Sequence, residues 1–128
     1  MIFHLAIPTH DLDAAENFYT EVLGARRARR YDDRVTFEFY GHQIVCHLAP
    51  DKIESSVEMY PRHFGITFTN PDDFERAYER CRGSATALFR DRFTRWPEQP
   101  ERHDTFLIAD PSNNLIEFKY YPDQHYVY

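Results

Sequence analysis

The sequence predicts an α+β chain built as two tandem βαβββ modules, and three observations carry that prediction. The opening Ile2-Phe3-His4-Leu5-Ala6-Ile7-Pro8 and the mid-chain Arg62-His63-Phe64-Gly65-Ile66-Thr67-Phe68 are both short apolar runs that carry a histidine and lead into a helix signal. Three landmarks then repeat at one offset: His4 and His63, Tyr19 and Tyr78, and Gly24 and Gly83 are each 59 positions apart. Finally, each helical stretch is followed by short runs with strand-like patterning, three to a module.

The elements follow in order. Ile2–Pro8 is apolar, brief and ended by proline, which suits a strand. From Asp11 to Leu23 the apolar residues Leu12, Ala15, Phe18, Tyr19, Val22 and Leu23 form one helical stripe. Asp11 and Asp13 complement its N-terminal dipole and Gly24 stops it. Ala25–Tyr31 reads as a polar edge strand, where Arg26, Arg27, Arg29 and Arg30 are a solvated edge rather than a phosphate site. Val35, Phe37 and Phe39 alternate with polar neighbours as a half-buried strand, Gly41-His42 turns the chain, and Gln43–Leu48 returns.

The second module opens with the strand Arg62–Thr69. Its helix has Asn70 as N-cap, Pro71 at the first helical position, and Phe74, Ala77, Tyr78 and Cys81 as its stripe. Thr86–Arg90 is the next expected strand, and Phe93–Arg102, with Trp96, Pro97 and Pro100, an excursion. Thr105–Ala109 and Leu115–Tyr120 are strands joined by the turn Asp110-Pro111-Ser112-Asn113-Asn114. The expected organisation is one domain over 1–128, with module 1 at 1–50, a linker at 51–61, module 2 at 62–121 and a tail at 122–128.

Composition limits the function. The 128 residues are 42% hydrophobic and 16% aromatic, enough for one globular domain with an aromatic-lined cavity. A net charge of −6 argues against nucleic acid or an anionic membrane as partner. No run approaches the ~20 apolar residues of a membrane span, and no secretion signal is visible. Cys46 and Cys81 lie in different elements and are expected to be reduced, buried small hydrophobes, which points to the cytoplasm.

Two βαβββ units with a histidine in each first strand resemble the vicinal oxygen chelate superfamily, which includes glyoxalase I, fosfomycin-resistance enzymes, extradiol dioxygenases and metal-free bleomycin-binding proteins. The resemblance covers nearly the whole chain. It is strongest in FHLAIPTHDLDAAENFYTEVLGA near the start and DTFLIADPSNNLIEF near the end, the latter similar to the family's Asp-Pro turn before a metal-binding Glu. It implies two strongly curved sheets forming an open mixed barrel around a metal. It also implies metal ligands at His4, His63 and Glu117, with His47 where glyoxalase I-like members place a fourth ligand. His103, 14 residues before Glu117, falls where dioxygenase relatives carry a histidine near the metal.

Elementary chemistry agrees with that set. Two imidazoles and a carboxylate suit Fe(II) with positions left open for substrate and oxygen, while His47 as a fourth ligand suits Zn, Ni, Co or Mn. His47 and His103 are the candidate acid/base groups; His10, His42 and His125 read as surface or turn residues. The chain departs from both relatives. Leu107, Ile108 and Ser112 stand in the stretch where extradiol enzymes carry a Tyr, and His47 stands where glyoxalase I-like members carry a carboxylate.

The expected function is a metal-dependent enzyme acting on a small molecule with vicinal oxygens, of the Fe(II) extradiol dioxygenase type. The alternatives are a glyoxalase I-like lyase or isomerase, and a non-catalytic protein that binds an aromatic or drug-like ligand. A homodimer is expected, as is usual for the family.

Overall fold

A computed structural model describes residues 1–86 and 88–128. The chain divides into two compact units, Met1–Glu58 with Ala109–Asn114, and Met59–Ile108 with Leu115–Tyr128. Each contains a four-stranded mixed sheet and one principal helical segment, so the two tandem modules of the sequence reading are found.

In unit 1 the elements are β1 (His4–Thr9), α1 (Leu12–Asn17), β2 (Arg26–Arg30), β3 (Arg34–Phe39) and β4 (His42–Leu48), in sheet order β1-β4-β3-β2. The β1–β4 pair is parallel and the other pairs are antiparallel. Asp11 caps α1 by accepting from the Ala14 N–H. The stripe expected to run to Leu23 does so, but Phe18–Val22 widens into a π-helical turn that buries Phe18, Tyr19 and Val22. Tyr19 stacks on Phe37 with centroids 5.0 Å apart, joining helix to sheet. Arg27 and Arg30 reach Glu16 and Asp13 across the helix, while Arg26 pairs with Glu38. Each partly satisfies the edge strand, as a solvated basic edge should. The tight turn is Tyr40-Gly41, both at positive φ, rather than Gly41-His42, because His42 already pairs with Phe39.

In unit 2 the elements are β5 (Phe64–Phe68), α2 (Pro71–Arg82), β6 (Arg90–Arg95), β7 (His103–Ala109) and β8 (Leu115–Tyr120), in sheet order β5-β8-β7-β6. Asn70 caps α2 through the Asp72 N–H, with Pro71 at its first turn. Phe68, Phe74, Phe106 and Phe118 form the core between helix and sheet. Cys46 and Cys81 are both buried; burial pushes both thiols up, Cys81 to about 11.

Three boundaries differ from expectation. The strand placed at Thr86–Arg90 begins instead at Arg90 and runs to Arg95, with a bulge between Arg90 and Phe93; Ala87 lies outside the described residues. The first three residues of the supposed excursion are therefore strand, and only 96–102 turns away. His63 precedes β5 by one residue instead of lying within it, and His103 begins β7 instead of preceding it. No helix among the described residues is long and apolar enough to cross a membrane.

Candidate functional site

The site is best defined in unit 2, on the sheet face opposite α2. Phe106 and Phe118 point to the helix, so their neighbours Thr105, Glu117 and, by the period of two, His103 and Lys119 share the other face. Glu117 is buried, with 5% of its surface exposed, at the middle of β8. It pairs with Gly65, which leaves no side chain between β5 and the Glu117 backbone.

Three groups hold the Glu117 carboxylate. Thr105 Oγ1 donates to Oε1 at 2.8 Å. Lys119 Nζ and His63 Nε2 lie 3.0 and 3.1 Å from Oε2. Burial pushes the Glu117 pKa up, but the Lys119 and Thr105 hydrogen bonds and the nearby positive charge outweigh it, so the carboxyl lies below its usual range.

His63 is oriented by the chain just before it. Its Nδ1 is 2.8 Å from the Met59 carbonyl oxygen. A carbonyl only accepts, so Nδ1 carries the hydrogen and a neutral ring presents the Nε2 lone pair to Glu117. Two acceptors 3.1 Å apart need a positive centre between them: a proton on Nε2 or a metal ion. Adjacent ligands with bonds of about 2.1 Å at right angles stand about 3.0 Å apart, so this pair fits one edge of a metal's coordination shell. Among the described residues, no three His, Cys, Asp or Glu side chains are gathered in that way.

His103 is buried, with 6% of its surface exposed. Its Nδ1 donates to the Glu101 carbonyl at 3.0 Å and its ring stacks on Tyr121 at 4.4 Å. Nε2 is thereby left as the acceptor of the neutral ring.

In unit 1, His4 is exposed at the start of β1, with Nδ1 bonded to the side-chain oxygen of Gln43. His47 is exposed near the end of β4, opposite Pro8 and Arg34. The strand register sharpens its equivalence. Gly65 pairs with Glu117, and Ala6, its counterpart 59 positions earlier, pairs with buried Val45. Thr67 pairs with Lys119 as Pro8 pairs with His47. His47 therefore matches Lys119, while Val45 matches Glu117. The rows of His4 and His47 are four residues apart along the strand pair, about 13 Å.

The Asp110–Asn114 turn belongs to unit 1. Asp110 accepts from the Ser112 and Asn114 backbone N–H groups, the Asn114 amide and the buried Tyr19 hydroxyl. Asn114 also donates to the Pro8 carbonyl, and Ser112 meets Thr9 and His10. Burial pushes the Asp110 pKa up against these hydrogen bonds, and burial likewise raises Tyr19 well above its ordinary value. The turn is thus a structural clamp on the end of β1. Sequence reasoning missed Thr105 and Lys119, although both lie on the Glu117 face by simple alternation. Met59 carried no signal, because its carbonyl does the work. A groove of about 610 Å³ lined by Asp13, Glu16, Asn17, Thr20, Glu21, Arg27 and Arg30 has its arginines already paired to acids.

Comparison with known proteins bears on this geometry. Residues 1–118 match the family described as the Glyoxalase/Bleomycin resistance protein/Dioxygenase superfamily. A crystal structure of a glyoxalase/bleomycin resistance protein/dioxygenase from Alicyclobacillus acidocaldarius is 48% identical, covers 100% of this chain and 96% of its own, and superposes with a TM-score of 0.96. A lactoylglutathione lyase from Agrobacterium tumefaciens is 19% identical over 94% of this chain and 92% of its own, with a TM-score of 0.69. A variant of the fosfomycin resistance protein FosX from Listeria monocytogenes, complexed with Mn(II) and a dihydroxypropylphosphonic acid, is 14% identical over 92% and 87%, with a TM-score of 0.71. The last two likenesses show the fold alone. No curated protein matches the chain.

Proposed function

The chain belongs to the glyoxalase/bleomycin resistance protein/dioxygenase superfamily, and from that premise we propose that it is a metal-dependent enzyme acting on a small molecule through two neighbouring oxygens. The observation that supports this most is the approach of His63 Nε2 to Glu117 Oε2 at 3.1 Å, with Nδ1 already committed to the Met59 carbonyl. His63 and Glu117 are two of the metal ligands in this reading, and His4, carried over from the sequence, is the third. A divalent ion held there would act as a Lewis acid towards the vicinal oxygens and the negative charge they develop.

The remaining groups have separate tasks. The Met59 carbonyl fixes the His63 tautomer. Thr105 occupies Oε1 and so directs Oε2 of Glu117 towards His63. His103, with Nδ1 anchored, offers Nε2 to take a proton from a substrate hydroxyl and return it later. That buried base on the Glu117 face favours a substrate with two adjacent hydroxyls and hence the Fe(II) extradiol dioxygenase type; a two-histidine, one-carboxylate set with open positions suits that metal. Zn, Ni, Co and Mn belong to the second reading, a glyoxalase I-like lyase or isomerase. There the register favours His47 as an acid/base group over His47 as a ligand, since Val45 stands at the position matching Glu117.

Metal identification followed by oxygen-uptake assays on catechols, beside assays on 2-oxoaldehyde–thiol adducts, tests the choice. Bound Fe(II) with catechol-dependent oxygen uptake supports the first reading. Bound Ni, Co or Zn with turnover of the adducts and no oxygen uptake refutes it in favour of the second.

A further inference from the structure

The charges on the unit 2 face are uneven. By strand pairing, β6 contributes Arg95 opposite His103, Phe93 opposite Thr105 and Arg90 opposite Leu107. Asp91 and Asp104, the acids of these strands, are engaged by Tyr78 and Arg92, and Arg92 lies over Phe74 on the helix side. Glu117 is therefore the carboxylate of the face, and Lys119 and His63 already flank it. In a chain of net charge −6, this surface keeps surplus positive charge.

Arg95 concentrates that surplus. Among the described residues its one hydrogen bond runs from Nη2 to the Met59 sulfur at 3.3 Å, a weak acceptor. Its Nε is buried without a hydrogen-bond partner among the described residues, whereas Nη1 has no hydrogen-bond partner among them and is not buried. Tyr60, Phe93 and Trp96 surround the guanidinium, with centroids 5.6, 5.8 and 6.0 Å from Cζ. Tyr60 and Trp96 are themselves 56% and 54% exposed, so they present flat apolar walls beside an uncompensated cation. Trp96 holds φ at 54°, an unfavourable backbone for a bulky residue, within a turn closed by the Gln99 N–H. Met59 ties this cluster to the reaction centre: its sulfur meets Arg95 and its carbonyl fixes His63, whose ring is 5.9 Å from Tyr60.

A partly desolvated guanidinium gains most from a charged, planar acceptor that matches its fork. We propose that Arg95 is a specificity-determining residue that receives a carboxylate of the substrate, so that the substrate is an organic acid with a planar body, seated between Tyr60 and Trp96; this rests on reading the His63–Glu117 face as the reaction site. The carboxylate lies against Nη1 and Nη2, and the ring it is attached to lies along the aromatic walls.

The test uses the full chain with chelator present and benzoate as probe, followed by calorimetry and by the emission of Trp96, the single tryptophan. Saturable benzoate binding is expected, with benzamide and the Arg95→Gln variant each weaker by roughly ten- to a hundredfold. Arg95→Lys, which keeps the charge and loses the fork, is expected to fall between them. The Glu117→Gln variant should keep benzoate binding while losing metal. Equal affinity for benzoate and benzamide in the unaltered chain overturns the proposal without any variant, and so does full benzoate affinity in folded Arg95→Gln. Either result leaves the metal reading standing if metal still binds. An unaltered chain that binds no metal once the chelator is removed, or a Glu117→Gln variant with undiminished metal affinity, refutes the metal reading instead, while Arg95-dependent benzoate binding stands.

Discussion

Gly65→Ala is the most demanding single change the fold allows us to calculate. Gly65 lies directly opposite Glu117 in the parallel β5–β8 pair. A Cβ on Gly65 would overlap the Glu117 carbonyl oxygen outright and lie 2.6 Å from the carbonyl carbon, where ordinary contact begins near 3.4 Å. Backbone rather than a flexible side chain is in the way, so the strands must separate. The cost combines overpacking of about 1–3 kcal/mol with the loss of one or two ladder hydrogen bonds at about 1 kcal/mol each. A total near 3 kcal/mol lowers the melting temperature by roughly 10 °C in a chain of this size. Because His63 leads directly into β5 and Glu117 stands on β8, the two strands forced apart, divalent-metal affinity should fall in the same variant. Gly83→Ala is the control: its Cβ meets the Glu79 carbonyl oxygen at 3.1 Å, needs only a small shift, and lies at an ordinary helical φ of −77°. Thermal unfolding by circular dichroism, with metal titration by calorimetry, measures both. A Gly65→Ala protein that melts within about 2 °C of the unaltered chain would refute the close approach of β5 and β8.

Thr105→Val removes the hydroxyl that donates to Glu117 Oε1 and should weaken metal binding roughly tenfold by calorimetry, with little change in fold. Lys119→Met removes an ammonium 3.0 Å from Oε2 and should strengthen metal binding by roughly three- to thirtyfold, less at high salt. Tyr19→Phe deletes the donor to Asp110 and should destabilise the chain by about 1 kcal/mol in urea titration; Asp110→Asn, which turns an acceptor of two donors into a third donor, should cost about 2–4 kcal/mol. Asp104 supplies the pH signature. Burial pushes its carboxyl up, yet hydrogen bonds from Arg92 and Thr94 hold it below the usual range. A depressed folded pKa means stability that is present above the ordinary carboxylate pKa and is lost as pH falls through the folded one. Urea midpoints measured down the acid limb should therefore fall less steeply in Asp104→Asn than in the unaltered chain.

Much of this was readable from residue pattern. The 59-residue repeat anticipated two modules because each must bury an equivalent helix stripe against an equivalent sheet, so Tyr19 and Gly24 recur as Tyr78 and Gly83. Caps and turns were legible where side-chain chemistry is local, as at Asp11, Asn70 and the Asp110–Asn114 turn. Strand bounds were less legible around 86–103. A bulge in β6 breaks the period of two there, and Arg90, Arg92 and Arg95 hide a strand behind charged side chains that pack on aromatic rings. His47 shows the limit of counting. The resemblance sets it in the last strand of module 1, as Glu117 is in the last strand of module 2; the register pairs Val45, not His47, with the counterpart of Gly65, and register depends on pairing that one strand's sequence does not specify. The roles of Met59 and Glu101 rest on backbone carbonyls, which no residue type announces.

A divalent metal held by His63 and Glu117 is what the rest of the proposed chemistry depends on. The most direct test of that binding is the metal content and calorimetric metal affinity of the chain purified without added metal or chelator, beside His63→Ala, Glu117→Gln and His4→Ala. Changing a group that merely supports a ligand costs about 10–100-fold in affinity, so losing a direct ligand should cost about a hundredfold or more in each variant. Near-zero metal and no titratable binding in all four proteins, or equal affinity in all four, would contradict it.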